Sequence, residues 1–184
     1  MGICNNRVVI ITGAGGGLGA AHAKVFAAEG ASVVVNDINE AAAQKVVDEI
    51  TAAGGKAVVN TSDITNYDDS LKAVKQAIDT FGDLHIVLNN AGVNRDRMFA
   101  SMTEAEWDTI MAVHLKGHFC ITSHAVHYWR GKSKVGKPVD ARIINTTSGA
   151  GLQGSIGQSN YAAAKAGIAA LTLNQGAELA RYGI

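Results

Sequence analysis

Tyr161 and Lys165 stand four residues apart in the stretch SGAGLQGSIGQSNYAAAK, with only alanines between them. On a helix, positions i and i+4 share a face. A phenol ordinarily ionises near pH 10 and is a weak base at neutral pH. An ammonium one turn away favours the phenolate, and each unit of downward shift is worth about 1.4 kcal/mol. A tyrosine so tuned can take a proton from an alcohol or give one to a carbonyl. Ser148, upstream in the same stretch, offers a hydroxyl to hold a substrate oxygen. The hydride that must move with such a proton belongs to a cofactor. Taken alone, the tyrosine and lysine fit the solvated face of an amphipathic helix better.

A second group of residues has the chemistry to hold that cofactor. ITGAGGGLG carries Gly13, Gly15, Gly16, Gly17 and Gly19 between a β-branched run and a helical pattern. Glycines let backbone approach a ligand closely, and the helix start behind them offers unpaired N–H groups to a pyrophosphate. Asp37 ends the second β-branched run, where an acid can accept from the hydroxyls of an adenosine ribose. The alternative for Asp37 is a turn or helix-capping aspartate before INEAAAQ. Ile38, Asn39 and Glu40 follow it, with no arginine to welcome a 2′-phosphate, so the expected cofactor is NAD. Asp63, in SDIT, either meets the adenine or caps the next helix. NNAG, Asn89 to Gly92, closes the fourth run with amides able to tie strand ends together.

These residues need a frame. Apolar runs at 7–12, 32–36, 57–60, 86–89 and 142–146 alternate with helical patterns near 18–29, 40–53, 66–81, 104–129 and 159–181. Continuous apolar strands separated by helices predict a doubly wound parallel sheet, a Rossmann-type three-layer α/β/α fold, in a single domain over 1–184. Ligands then sit at the carboxyl ends of the strands. GKSKVGKPVD, Gly131 to Asp140, leads into a strand start and is expected to be a solvated loop.

The bulk composition narrows the partners. Sixteen basic and sixteen acidic residues balance, so no nucleic-acid or anionic-membrane surface is expected. Two cysteines, Cys4 and Cys120, make no disulfide framework and suit the cytoplasm. MGICNN lacks the basic and apolar regions of a signal peptide, and Asn6 stands where a myristoylation signal wants Ser or Thr. No apolar run is long enough to cross a membrane. His114 and His118 share a helical face but have no acidic residue between them and no evident third ligand, so no metal is expected. His124 and His127 are expected on the outer face of that helix.

In their order along the chain, TGAGGGLG, Asp63–Ile64, NNAG, Ser148 and YAAAK resemble the short-chain dehydrogenase/reductase family. VHLKG and TTSGAGLQGSIGQSNY are similar to the (3R)-hydroxyacyl-CoA dehydrogenase part of peroxisomal multifunctional enzymes and to bacterial relatives. The resemblance implies that Tyr161 is the acid/base, Lys165 its modulator and ribose ligand, and Ser148 the substrate-oxygen donor. It implies a cofactor site formed by Gly13, Gly15, Gly16, Gly17, Leu18, Gly19, Asp37, Asp63, Ile64, Asn90, Ala91 and Gly92, with Tyr161 and Lys165. His114 occupies the position of the family's relay asparagine, and a histidine can also donate and accept.

The implied activity is hydride transfer between NAD(H) and a secondary alcohol or ketone, either a 3-hydroxyacyl thioester or a hydroxysteroid-like substrate. One alternative is an NADPH-dependent 3-oxoacyl-carrier-protein reductase, which Asp37 disfavours. Another is a non-catalytic dinucleotide-sensing or scaffold protein, which the serine, tyrosine and lysine disfavour. Family members continue past the equivalent of Ile184 into a substrate-covering segment and a last strand, so the fold is expected to be cut short here. The small apolar residues of 159–181 run nearly all round the helix, so both faces are expected to be buried, one of them in a homodimer or homotetramer.

Overall fold

A computed structural model describes residues 2–184. Five parallel strands are ordered β3-β2-β1-β4-β5, with β1 Val8–Thr12, β2 Ser32–Asn36, β3 Lys56–Asn60, β4 Ile86–Asn89 and β5 Arg142–Asn145. The chain builds outward from β1 to β3, then returns to the other side of β1. That reversal opens a crevice beyond the carboxyl ends of β1 and β4, where such sheets bind ligands. Val9 pairs with Val33 on one side and Ile86 on the other, so the crevice is flanked by strands in matched register.

Burial on both faces explains the unbroken apolar strands. In β1, Val9 and Ile11 pack with the layer that holds α1 (Gly17–Ala28) and α2 (Glu40–Ala52). Val8 and Ile10 point the other way, onto α3 (Tyr67–Phe81) and α5 (Gly117–Lys134). The period-2 alternation of a strand gives each face its own core.

The helix starts follow capping chemistry. Asn39 Oδ1 accepts from Ala42 N–H at 3.1 Å, and Asn66 Oδ1 from Asp69 N–H at 3.0 Å. Thr103 and Glu106 form a reciprocal capping box at the start of α4 (Glu104–Ile110). Asn66 therefore caps α3, not Asp63.

Three expectations need correction. The long helical pattern at 104–129 is not uniform: between α4 and α5 the backbone widens into a π-helical stretch, Met111–Lys116, that carries His114 inward. Such wide turns recur at functional sites. The loop expected from Gly131 begins as the last turn of α5, because Lys132 Nζ pairs with Asp83 at 2.6 Å and holds that turn to the start of β4. His124 is only partly on the outer face, since its ring packs against Tyr67 at 4.2 Å. A short helix, α6 (Gly149–Gln153), precedes α7 (Ser159–Leu179). The buried residues of α7 are Asn160, Ala164, Lys165 and Ile168, while Leu173 is 77% exposed. Only one face of α7 is covered within this chain.

Candidate active site

The glycine turn is built by close approach. Gly13 has φ +63°, and a Cβ there would meet Ala91 Cα at 2.7 Å. A Cβ on Gly19 would meet the Gly13 carbonyl at 2.1 Å and Asn90 Nδ2 at 2.6 Å. Gly16 and Gly17, by contrast, face open space. The first turn of α1 therefore presents bare backbone amides to the crevice, an arrangement that suits a pyrophosphate.

Thr12, which the sequence did not single out, ties this turn to β4. Its Oγ1 accepts from the N–H groups of both Asn90 and Ala91 at 3.0 Å. The Asn90 side chain donates back to the Thr12 carbonyl at 3.0 Å and to the Gly13 carbonyl at 3.3 Å. Asn90 thus sutures the two strand ends.

Asp37 lies at the end of β2 with both carboxylate oxygens engaged. Oδ2 accepts from Gly15 N–H at 2.9 Å and Oδ1 from Asn39 N–H at 2.9 Å. Asn39, not Asp37, caps α2; the backbone contacts of Asp37 fix its carboxylate at the rim while it keeps further lone pairs. A cleft of about 240 Å³ opens beside it, lined by Gly13, Ile38, Asp63, Ile64, Gly92 and Val113 among others. Asp63 Oδ1 also accepts from the amide and hydroxyl of Thr65, both at 2.8 Å, so it organises its own turn. Ile64 is buried, whereas Leu18 is 69% exposed at the start of α1 and outside the cleft.

Tyr161 and Lys165 project from α7 toward the same end of the sheet. Lys165 is 2% exposed, which rules out a solvated lysine. Its Nζ donates to the Thr146 carbonyl at 2.5 Å, just beyond β5, and lies 5.6 Å from the centre of the Tyr161 ring. No carboxylate pairs with it among the described residues, and burial pushes its pKa down to about 8. Ser148 stands two residues beyond Thr146 and caps α6, its Oγ accepting from Ala150 N–H at 3.2 Å. Helix α6 lies directly on α7: a Cβ on Gly151 would meet Ala166 N at 2.6 Å.

His114 completes the group. It is 2% exposed, and its ring meets Tyr161 edge to face at 5.2 Å. Nε2 is 2.8 Å from the Val93 carbonyl and 3.1 Å from the Val93 amide. Burial holds its pKa below the usual histidine range. The ring also fills the space above Gly92, where a Cβ would sit 2.6 Å from Cε1.

Sequence reasoning missed Asn160, which is fully buried. Its Nδ2 donates to the carbonyls of Arg95 at 3.1 Å and Glu106 at 3.3 Å, and its Oδ1 accepts from Tyr161 N–H at 2.8 Å. It clamps the start of α7 to the segment after β4 and so sets where Tyr161 sits. The one local signal is an amide beside the tyrosine, which reads as an ordinary cap until its distant partners are known. Arg97 N–H donates to the Gly157 carbonyl at 2.7 Å and joins the same two segments.

A family model described as short chain dehydrogenase matches residues 7–184. Hydroxyacyl-CoA dehydrogenase ChsB1 of Mycobacterium tuberculosis is 49% identical over 98% of this chain and 59% of its own length. Peroxisomal multifunctional enzyme type 2 of Mus musculus is 45% identical over 91% of this chain and 23% of its own. A crystal structure of a short chain dehydrogenase from Mycobacterium avium superposes with a TM-score of 0.98 at 59% identity, covering 100% of this chain and 68% of that one. The chain therefore spans less than two thirds of the length of the curated relatives named here.

Proposed function

This chain belongs to the short-chain dehydrogenase family, and we propose that it is an NAD-dependent oxidoreductase acting on a 3-hydroxyacyl thioester. The observation that carries the reading is Lys165: a buried ammonium with no counter-ion among the described residues, one turn beneath Tyr161, at the same strand ends as the glycine cradle. Holding that ammonium out of water costs about 3 kcal/mol at neutral pH. A scaffold gains nothing for that cost, which argues against a non-catalytic role.

The residues fit a nicotinamide dinucleotide. Open space over Gly16 and Gly17 and the amides of α1 suit the pyrophosphate, and the cleft beside Asp37 suits an adenosine. Asp37 Oδ1 and Oδ2 retain lone pairs for ribose hydroxyls and would repel a 2′-phosphate, which favours NAD over NADP and over the NADPH-dependent reductase reading. When bound, the cofactor supplies the hydride acceptor.

The protein's own part is the proton. Tyr161 takes the substrate hydroxyl proton, and Ser148 holds the same oxygen once its hydroxyl turns from its capping contact. Lys165, held as an ammonium one turn from Tyr161, favours the phenolate that the proton transfer needs. His114 braces the Tyr161 ring and fixes the Val93 backbone at the rim.

A bulky apolar acyl group is supported by Met98 and Phe99 on one segment and Leu152 and Ile156 on the other. All four are exposed, and the Arg97–Gly157 hydrogen bond joins the two segments. A homo-oligomer is supported by the apolar groove of Met111, Leu115, Phe119 and Leu171 between α5 and α7. A cytoplasmic location is proposed on the two free thiols, Cys4 and Cys120; no helix is long and apolar enough to cross a membrane among the described residues. The test is NADH formation followed by absorbance, with 3-hydroxyacyl-CoA thioesters and secondary steroid alcohols compared. Turnover that grows with acyl bulk supports the reading, and no turnover on any thioester refutes it.

A further inference from the structure

A second cavity opens at the end of the sheet opposite Tyr161 and Asp37. Its volume is about 370 Å³, and it is lined by Arg7, His85 and Ala141, the residues just before β1, β4 and β5. Leu84, Trp129, Pro138 and Val139 supply an apolar wall. Hydrogen bonds fix that wall: Trp129 Nε1 donates to the Leu84 carbonyl at 2.7 Å, and Ala141 N–H to the Gly183 carbonyl at 2.9 Å. The loop after α5 folds back on the last turn, with Lys137 N–H donating to the Lys132 carbonyl at 3.1 Å. Lys132 and Lys137 both line the cavity as a result.

The charges around this cavity do not balance. Asp83 and Asp140 are the only acids among its described lining residues. Arg7, Lys132 and Lys137 oppose them, and Arg142 pairs with Asp140 from outside the lining. Four cations therefore meet two carboxylates, in a chain whose charges cancel overall. Hydrogen-bonding capacity is lopsided in the same sense. Asp83 already accepts from Leu84 N–H, the Tyr128 hydroxyl and Lys132, and Asp140 from Arg7 and Arg142. Lys132 spends two of its three N–H groups on Asp83, and Lys137 has no ion-pair partner among the described residues.

His85 adds a further donor. Its Nδ1 accepts from Val8 N–H at 3.1 Å, so the neutral ring carries its proton on Nε2. That nitrogen is 3.7 Å from Asp83, too far to be spent there. Burial holds the His85 pKa below the usual histidine range, which keeps the ring neutral. The Lys132 and His85 side chains are only 19% and 20% exposed, so both belong to the cavity wall and not to open solvent.

Spare donors beside an apolar wall suit a ligand that only accepts and that has an apolar body. We propose that this cavity binds a small organic carboxylate, held by Lys137, Lys132 and His85 Nε2–H against Trp129. The site lies at the amino ends of the strands and is separate from the crevice at their carboxyl ends. The solvated loop expected over Gly131 to Asp140 describes Lys134, which lies outside the cavity, but not Lys137.

The test is a titration of the protein with benzoate, followed by nuclear magnetic resonance. Millimolar benzoate should shift the Trp129 indole N–H and the Leu84 amide, and leave the Gly15 and Gly19 amides of the glycine turn unmoved. No shift, or shifts confined to the glycine turn, would overturn the proposal. Benzyl alcohol has the body without the charge, and inorganic phosphate the charge without the body. Each should bind about tenfold more weakly than benzoate or worse, and either one binding as tightly overturns the carboxylate assignment. Lys137→Gln changes an exposed side chain at the rim and should weaken benzoate about fivefold, the size of one exposed ion pair. Lys134→Gln, on the same loop, should leave affinity unchanged. Wild-type affinity in the Lys137 variant, or an equal loss in both, refutes the site. None of these readouts depends on turnover.

Discussion

His118 should make the protein lose stability on mild acidification by an amount that can be worked out in advance. In the unfolded chain its imidazole has an ordinary pKa of 6.5, whereas in the fold burial and Lys165 push it down to about 3. The unfolded state therefore binds more protons below pH 6.5, and stability falls as pH falls from there toward pH 3. At pH 5 the native ring is still neutral, while nearly every unfolded ring is charged. The free-energy difference is about 2 kcal/mol at pH 5 and nearly vanishes at pH 7. His114 and His85, also depressed by burial, add to the loss in the same direction. Replacing His118 by glutamine removes its share alone and leaves the others in place. Urea unfolding of wild type and His118→Gln at both pH values measures the difference. Wild type should lose about 2 kcal/mol more than the variant between pH 7 and pH 5. Equal losses would mean that native His118 is protonated near pH 6 and that the buried, neutral imidazole is wrong.

Three further outcomes follow from the site. Gly19→Ala drives a Cβ into the Gly13 carbonyl and Asn90, so it should abolish measurable NADH binding by fluorescence titration; unchanged affinity would refute the cradle. NADPH should bind about 10²-fold more weakly than NADH, since a phosphate beside Asp37 is opposed by up to about 4 kcal/mol per unit charge at an effective dielectric near 20; equal affinities would make Asp37 a backbone clamp only. His114→Ala should lower kcat about tenfold or more through loss of the Val93 anchor and the Tyr161 contact, with His114→Asn retaining most activity; full activity in the alanine variant would reduce His114 to packing.

What the sequence discloses here is the part of the site that is local. The turn from β1 into α1 needs glycine within a few residues, and Tyr161 and Lys165 are one helical turn apart, so spacing alone exposes both. The parallel sheet is legible for the same reason: strands buried on both faces must be apolar throughout, as Val33 to Val35 are. Long-range contacts are silent. Asn160 gains its meaning from the carbonyls of Arg95 and Glu106, and Thr12 from the amides of Asn90 and Ala91, neither near in sequence. The π-helical stretch escapes because its residues fit an ordinary helical period, and only the backbone reveals the wider turn. Lys132 looks like loop charge until Asp83 is seen beside it.

The phenol of Tyr161 is the group on which proton transfer depends most directly. Tyr161→Phe keeps the ring and its contact with His114 and removes only the hydroxyl that handles the proton. Its turnover of a 3-hydroxyacyl-CoA thioester with NAD, measured beside NADH affinity, should fall by about 10²-fold or more while affinity holds. Turnover near that of wild type would contradict the mechanism.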